Sequence, residues 1–343
     1  MVKWKLMVND SFGIVFCAKI KCFDRVNIGA ENPPSTICTR TSWGIRPARE
    51  TMFNFDPLAH EQLKPEIVGV YDRAANLYDQ VGVKSFTYYA NLLVDKLNIP
   101  PGARVLDVAT GRGALLFAAA EKVGVNGYVL GIDLAPNMIS ETAAEIKARG
   151  LQQAEVRLMD ADDISFPSHS FDYILCGFAI HFLDYPRLLV RFRDMLKPGG
   201  SIATTHPYVP THDTENFERW KWLFELTREV FPANFEPPAS WVAPNRLNSP
   251  KLIESALRES GFENISITVA ETTMYFADEN DWWDWEWSQG SRFWVEGMSP
   301  EGLAKFKAVS FEKLRAMKTP SGIPILNGAL LSVANAPVGN EKH

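Results

Sequence analysis

The run Val105-Leu106-Asp107-Val108-Ala109-Thr110-Gly111-Arg112-Gly113-Ala114 leads from an apolar strand, through a carboxylate and two glycines, into an apolar helical stretch at 115–120. Gly111 and Gly113 remove the side chains that would keep a ligand off the backbone, so a small molecule can lie directly on this turn. Two more acids close apolar runs: Asp133 after 127–132 and Asp160 after 154–159. A carboxylate ending the second strand suits a ribose diol. The plainer reading makes Asp133 a helix cap before Pro136 and Asp160, near Asp162 and Asp163, a solvated loop acid. The dinucleotide pattern G-x-G-x-x-G stays incomplete because Leu115 and Leu116 follow Gly113, which argues against a nicotinamide dehydrogenase. Two histidines offer proton transfer, His181 after Cys176-Gly177-Phe178-Ala179-Ile180 and His206 directly after an apolar run at 201–205. An unperturbed imidazole titrates near neutral pH and can take a phenol or enol proton. The plainer alternative is a histidine satisfied by backbone at a strand end.

Such residues need a frame. Apolar positions at three- and four-residue spacing predict a helix from Pro65 through Ile67, Val70, Tyr71, Ala74, Leu77 and Tyr78. A second helix passes through Phe86, Tyr89, Leu92, Leu93 and Leu97 and stops at Pro100-Pro101-Gly102. Strands at 105–108, 127–133, 154–160, 171–177 and 201–205 alternate with helices ending near Lys122, Arg149 and Leu196, the last followed by Lys197-Pro198-Gly199-Gly200. This rhythm predicts an α/β fold with a doubly wound, mostly parallel sheet. Past 207 it changes. A helix rich in Trp220, Trp222, Phe224 and Phe231 precedes a proline-rich loop, and a helix from Ser249-Pro250 is capped by Gly261. A strand at 265–269 continues toward Tyr275, and a helix through Leu303, Phe306, Val309, Phe311 and Leu314 precedes a final strand at 323–333. The expected organisation is one domain over 56–335, with lid insertions at 207–250 and 278–320 and a tail at 336–343. The tryptophans at 282, 283, 285, 287 and 294, with Phe293, Trp220, Trp222 and Trp241, read mostly as packing between lid and sheet. Some of them could line an apolar pocket or cage a cationic amine.

The 343 residues carry 35 basic and 41 acidic side chains, a net charge of −6, and 46% of them are hydrophobic. That balance argues against nucleic acid as a partner, and no apolar stretch is long enough to span a bilayer. The four cysteines, at 17, 22, 38 and 176, show neither CxxC pairing nor zinc spacing, so no metal or disulfide framework is indicated and a reducing cytoplasm is expected. Residues 1–55 are basic, lack a sustained period and are broken by Asn32-Pro33-Pro34-Ser35. They are expected to be a disordered extension, with Met52 as an alternative start. The tetrapeptide resembles that of amino-methylating DNA enzymes, but its fourth residue is Ser35 where those carry an aromatic. Oligomeric state is not readable.

Five segments in order then carry a resemblance: 105–114, Gly131-Ile132-Asp133-Leu134-Ala135-Pro136-Asn137-Met138, Asp160-Ala161-Asp162, 166–172 and Leu196-Lys197-Pro198-Gly199-Gly200. Together they resemble the class I S-adenosylmethionine-dependent methyltransferases. Tyr71-Asp72-Arg73-Ala74 with Tyr78-Asp79 is similar to the ubiquinone/menaquinone-biosynthesis subgroup and its natural-product relatives. The resemblance implies a Rossmann-like seven-stranded sheet, S-adenosyl-L-methionine as cofactor and methyl transfer to a small, hydrophobic or aromatic acceptor. It implies that Asp107 and the backbone of Ala109, Gly111 and Gly113 surround the methionine part. Asp133 would accept from both ribose hydroxyls, with Met138 against the adenine and Leu134 also in the cofactor site. Asp160 would accept from the adenine amino group, Ala161 would donate from its backbone, and Tyr78, on the preceding helix, would cover the carboxylate end. Ala109 departs from the glycine that many members have there. His181 and His206 are the candidates for base or acceptor contact. The alternatives are a cofactor-binding protein of this fold with another reaction, or a scaffold.

Overall fold

Short runs of β-branched and aliphatic residues form a seven-stranded sheet in a computed structural model that describes residues 57–208, 214–231 and 247–338. The expected extension at 1–55, Asn32-Pro33-Pro34-Ser35, Met52, three of the four cysteines and Trp241 lie outside the described residues, as does most of the proline-rich loop. The strands are β1 (Arg104–Val108), β2 (Tyr128–Asp133), β3 (Ala154–Leu158), β4 (Phe171–Gly177), β5 (Leu196–Tyr208), β6 (Glu263–Phe276) and β7 (Ile323–Asn335). Their order is β3-β2-β1-β4-β5-β7-β6. Only β7 runs antiparallel to its neighbours, β5 and β6. The order reverses between β1 and β4, and the crevice at the carboxyl ends of those strands is where an open α/β sheet takes its ligand.

Helices α1 (Pro57–Ala74), α2 (Ser85–Asp95), α3 (Ala114–Val123), α4 (Pro136–Ala148) and α5 (Tyr185–Met195) surround the sheet, α6 (Thr214–Val230) packs into the lid, and α7 (Pro250–Glu259) returns to the sheet. Alternate residues of β1 feed opposite layers. Val105 packs with Leu93 of α2 and Leu116 of α3, while Leu106 and Val108 pack with Leu188 and Phe192 of α5 and Ile253 of α7. Burial on both faces explains why β1 reads as an almost unbroken apolar run. Helices α8 (Glu279–Trp287), α9 (Arg292–Gly297) and α10 (Pro300–Met317) build the lid. Its core joins Trp282, Trp285 and Trp294 to Trp220, Phe306, Phe276 and Ile323. These tryptophans pack the lid onto β6 and β7. No helix among the described residues is long and apolar enough to cross a membrane.

Three local expectations differ from the structure. Helix α1 starts at Pro57 and runs through Pro65 instead of starting there. Proline removes one helical hydrogen bond, and a hydrogen bond from His60 and an ion pair from Lys64 to Asp162 hold the turn before it in place. The helix ends at Ala74, so Tyr78 sits on the following turn and not on the helix; its N–H still reaches the Ala74 carbonyl at 2.9 Å. Strand β5 starts at Leu196 and incorporates Lys197-Pro198-Gly199-Gly200 as an irregularity, with Gly199 at φ +76°.

The lid meets the turn after α1 at Gly82, whose N–H donates to Asp281 Oδ1 at 3.0 Å. A Cβ there would lie 2.5 Å from Trp285 Cβ, and φ is +63°. Gly82→Ala is therefore expected to cost about 2–4 kcal/mol in chemical unfolding, by adding a left-handed backbone penalty to overpacking. An unchanged unfolding midpoint would mean the lid does not dock here.

Candidate functional site

Strand β1 delivers Asp107 to its end, and the next turns use positive φ at Ala109 (+54°), Gly111 (+51°) and Gly113 (+79°). Gly113 is obligatory for space as well, since a Cβ would lie 2.8 Å from the Phe117 ring. Ala109 holds a left-handed backbone without being glycine, at a cost of about 1 kcal/mol. The Thr110 hydroxyl donates to Asp107 Oδ2 at 2.6 Å. Asp107 Oδ1 is buried with no hydrogen-bond partner, and burial pushes this carboxyl up to about 7.

Asp133 faces the same turn. Its Oδ2 accepts the Gly111 N–H and its Oδ1 the Ala135 N–H, both at 2.9 Å. Burial raises its pKa, opposed by the N–H groups of Ala135, Gly111 and Leu134. A carboxylate oxygen accepts more than one hydrogen bond, so both oxygens retain capacity toward a ligand. The helix-cap reading of Asp133 fails for a local reason. The N-cap of α4 is Ala135, and Asp72, at the far end of α1, receives the Asn137 N–H at 2.7 Å. Asp72 thus caps α4 from another helix, a role that spacing along the chain does not reveal.

Two cavities open over the turn. One, of about 830 Å³, is lined by Asp133, Leu134, Met138, Asp160, Ala161 and Lys64, among others. The other, of about 1120 Å³, is lined by Asp107, Thr110, Arg112, Lys84, Phe86 and Thr205, among others. Tyr78, Ala109, Gly111, Gly177 and Phe178 line both. The Tyr78 ring stacks on Phe86 at 4.6 Å, and Phe86 meets Phe178 edge-on at 5.3 Å. Phe178 is held at φ +51° by its N–H, which donates to the carbonyl and to Oγ1 of Thr205, both at 3.0 Å. The aromatic wall of the cleft therefore comes from the α1–α2 region and the turn after β4. Among the described residues, no tryptophan lines either cavity.

Strand β3 ends at Leu158, short of the expected 160, so Asp160 lies two residues past it and caps a single helical turn, Ala161–Asp163, by accepting the Asp162 N–H at 2.9 Å. Its other oxygen takes the Lys64 ammonium at 2.9 Å. Asp162 is not a solvated loop acid. It is buried, 2.6 Å from His60 Nε2, 2.8 Å from Lys64 Nζ, and accepts the Asp184 N–H at 3.1 Å. Burial works against its charge, but His60 and Lys64 hold its pKa well below the usual carboxylate range. His60 and Lys64 were missed because polar side chains at i, i+4 on a helix normally mark a solvated face.

The two histidines part company. His181 lies half-buried on the short turn Ile180–Phe182, its ring 4.2 Å from that of Phe182; Phe178, Ala179, Phe182 and Leu183 around it line the first cavity, while His181 itself lines neither. His206 is 1% exposed and lines neither cavity. Alternation along β5 turns Thr205 toward the cleft and sends His206 to the other face, with Thr204. There its Nε2 lies 2.6 Å from Thr204 Oγ1, which is 2.5 Å from Ser332 Oγ. Burial pushes the His206 imidazole down to about 3.

A family model described as a methyltransferase domain matches residues 105–200. The chain is 34% identical over 255 residues to the nocamycin O-methyltransferase of Saccharothrix syringae, covering 72% of this chain and 89% of that one. It is 43% identical over 145 residues to the aklanonic acid methyltransferase DauC of Streptomyces sp. (strain C5), covering 42% and 66% respectively. With the demethylmenaquinone methyltransferase of Anoxybacillus flavithermus it shares 26% over 235 residues, covering 64% and 99%.

Proposed function

This chain belongs to the class I S-adenosylmethionine-dependent methyltransferases, and we propose that its divided cleft takes the nucleoside of the cofactor on one side of Tyr78 and the methionine part on the other. The protein transfers a methyl group from S-adenosylmethionine to a small organic acceptor. The cofactor supplies an already activated, sulfonium-bound methyl group; the protein's task is alignment.

One observation carries the placement. Asp107 Oδ1 is buried without a partner on the wall of a cavity, and a buried carboxylate of this kind calls for a cation. The cofactor's methionine end is cationic at its ammonium and sulfonium. In this reading the backbone of Ala109, Gly111 and Gly113 lies along that end, and Tyr78 covers its carboxylate. Asp133 accepts from both ribose hydroxyls, Leu134 and Met138 pack against adenine, Asp160 accepts from the adenine amino group, and the Ala161 N–H donates to the base.

The acceptor is read as an apolar, ring-bearing molecule with an oxygen nucleophile. Support comes from the ring wall of Tyr78, Phe86 and Phe178 and from a 34%-identical relative whose name specifies O-methyl transfer. The lid insertions at 207–250 and 278–320, within one domain over 56–335, are read as its cover. His181 is the candidate base, supported by its place on the turn after β4. His206, buried and held neutral, is read as a packing residue.

The test is calorimetry with S-adenosylmethionine, followed by transfer of labelled methyl to a panel of phenolic, enolic and carboxylic acceptors. His181→Ala is expected to lower kcat by about 10²-fold or more while leaving cofactor affinity within twofold. Unchanged turnover would remove His181 from the mechanism.

A further inference from the structure

The Lys64 ammonium lies 2.8 Å from Glu61 Oε1, 2.9 Å from Asp160 Oδ2 and 2.8 Å from Asp162 Oδ2. Its side chain is only 14% exposed, and it lines the cavity that contains Asp133 and Met138. His60, one turn earlier, meets the same Asp162 oxygen at 2.6 Å. His60, Glu61 and Asp162 are close enough to hold a metal ion, but the lysine ammonium already provides the positive charge among these carboxylates.

We propose that Lys64 is a positioning residue for the cofactor: it aims Asp160 at the adenine edge and latches α1 over the bound nucleoside, so that its ion pairs must open before spent cofactor leaves. This rests on reading the Asp160 cavity as the adenine end. The first half follows from the bonding of Asp160. One oxygen is held by the Asp162 N–H and the other by Lys64; without the lysine, a side chain that is already 24% exposed is free to turn toward water.

The second half follows from how α1 is fixed. Ile67, Val68 and Tyr71 of this helix line the same cavity, so the helix covers it. At its C-terminal end α1 is bolted to the lid: the Arg73 guanidinium pairs with the Glu296 carboxylate, and Arg292 donates to the Arg73 carbonyl at 2.8 Å. At its other end the fastening is the Lys64 and His60 cluster. Pro65, immediately after Lys64, lacks the N–H that would bond the Glu61 carbonyl. The helix is thus weakest in its own hydrogen bonding beside the latch, and that end is the one able to lift.

The test compares wild type, Lys64→Met and Lys64→Arg in equilibrium binding of S-adenosylmethionine, steady-state kinetics and stopped-flow release of S-adenosylhomocysteine. Lys64→Met is expected to raise the cofactor Kd and KM at least tenfold and speed release at least tenfold without lowering kcat. Lys64→Arg should return both to within about threefold. Wild-type Kd and release in Lys64→Met, or a fall confined to kcat, would each overturn the proposal. Failure of wild type to bind the cofactor would instead overturn the reading of the cleft. The double variant with Asp160→Ala should lose less than the sum of the two single losses, what remains being the latch through Asp162; fully additive losses would overturn the aiming role.

Discussion

Asp107→Asn is expected to raise the melting temperature at pH 8 and yet weaken S-adenosylmethionine binding more than tenfold. The Asp107 carboxyl is pushed from its ordinary value of 3.8 up to about 7, by burial first and with the Thr110 hydroxyl pulling the other way. A carboxyl whose pKa is higher folded than unfolded favours the fold while it is protonated in both states. That advantage is lost as pH rises from the ordinary value through the folded one. Above about pH 7 the native protein carries the full penalty of a buried charge, at most about 4 kcal/mol for a displacement of this size. Asparagine escapes it and can keep the hydrogen bond from Thr110. Binding runs in the opposite direction, because a cationic ligand needs the ionised form. Wild-type affinity should therefore decline below about pH 7, by up to tenfold per pH unit, while the asparagine variant stays flat. Thermal unfolding at pH 6 and 8, with calorimetry from pH 5.5 to 8.5, reads both trends. A variant no more stable at pH 8 than wild type would show that the buried charge is not penalised.

Asp133→Ala should have the largest effect on cofactor affinity. The substitution leaves the Gly111 and Ala135 N–H groups without the acceptors they meet at 2.9 Å, and hydrogen bonds to a charged group are worth about 1.5–3 kcal/mol each. The glycine turn then keeps only the Thr110 N–H to Ile132 carbonyl bond to β2, and the proposed ribose contacts are lost. A loss of at least about 3 kcal/mol, more than a hundredfold in Kd, is expected by calorimetry. Asp133→Asn keeps one acceptor oxygen but turns an amide donor toward the other N–H, so it should fall between. Binding within tenfold of wild type in the alanine variant would place the ribose elsewhere.

Both predictions concern residues legible in the chain, because their signals are local. An apolar run ending in an acid, followed by glycines that open the backbone, is fixed by strand geometry and by φ preferences at single positions. The same holds for most strand positions, whose apolar runs reflect burial on both faces of a parallel sheet. Ala109 shows the limit: its left-handed backbone at φ +54° was not evident from a residue type that rarely adopts it. The tryptophan-rich stretch was legible as packing, but the ring wall of the cleft was not, since it comes from residues scattered over the turn after α1, helix α2 and the turn after β4.

By itself, then, the sequence determined the order of strands and helices, the ligand-bearing turn and the acids at 107, 133 and 160. Each depends on residues a few positions apart. Only the tertiary structure decided that Asp72 caps α4, that Lys64 and His60 bind the acids after β3, and that Tyr78 stands between the two cavities. It also decided that His206 points into the sheet while His181 stays beside the cleft. These depend on which faces meet across long stretches of chain and on how far β5 extends. One residue more or less in that strand reverses the face a histidine sees, because side chains alternate with a period of two.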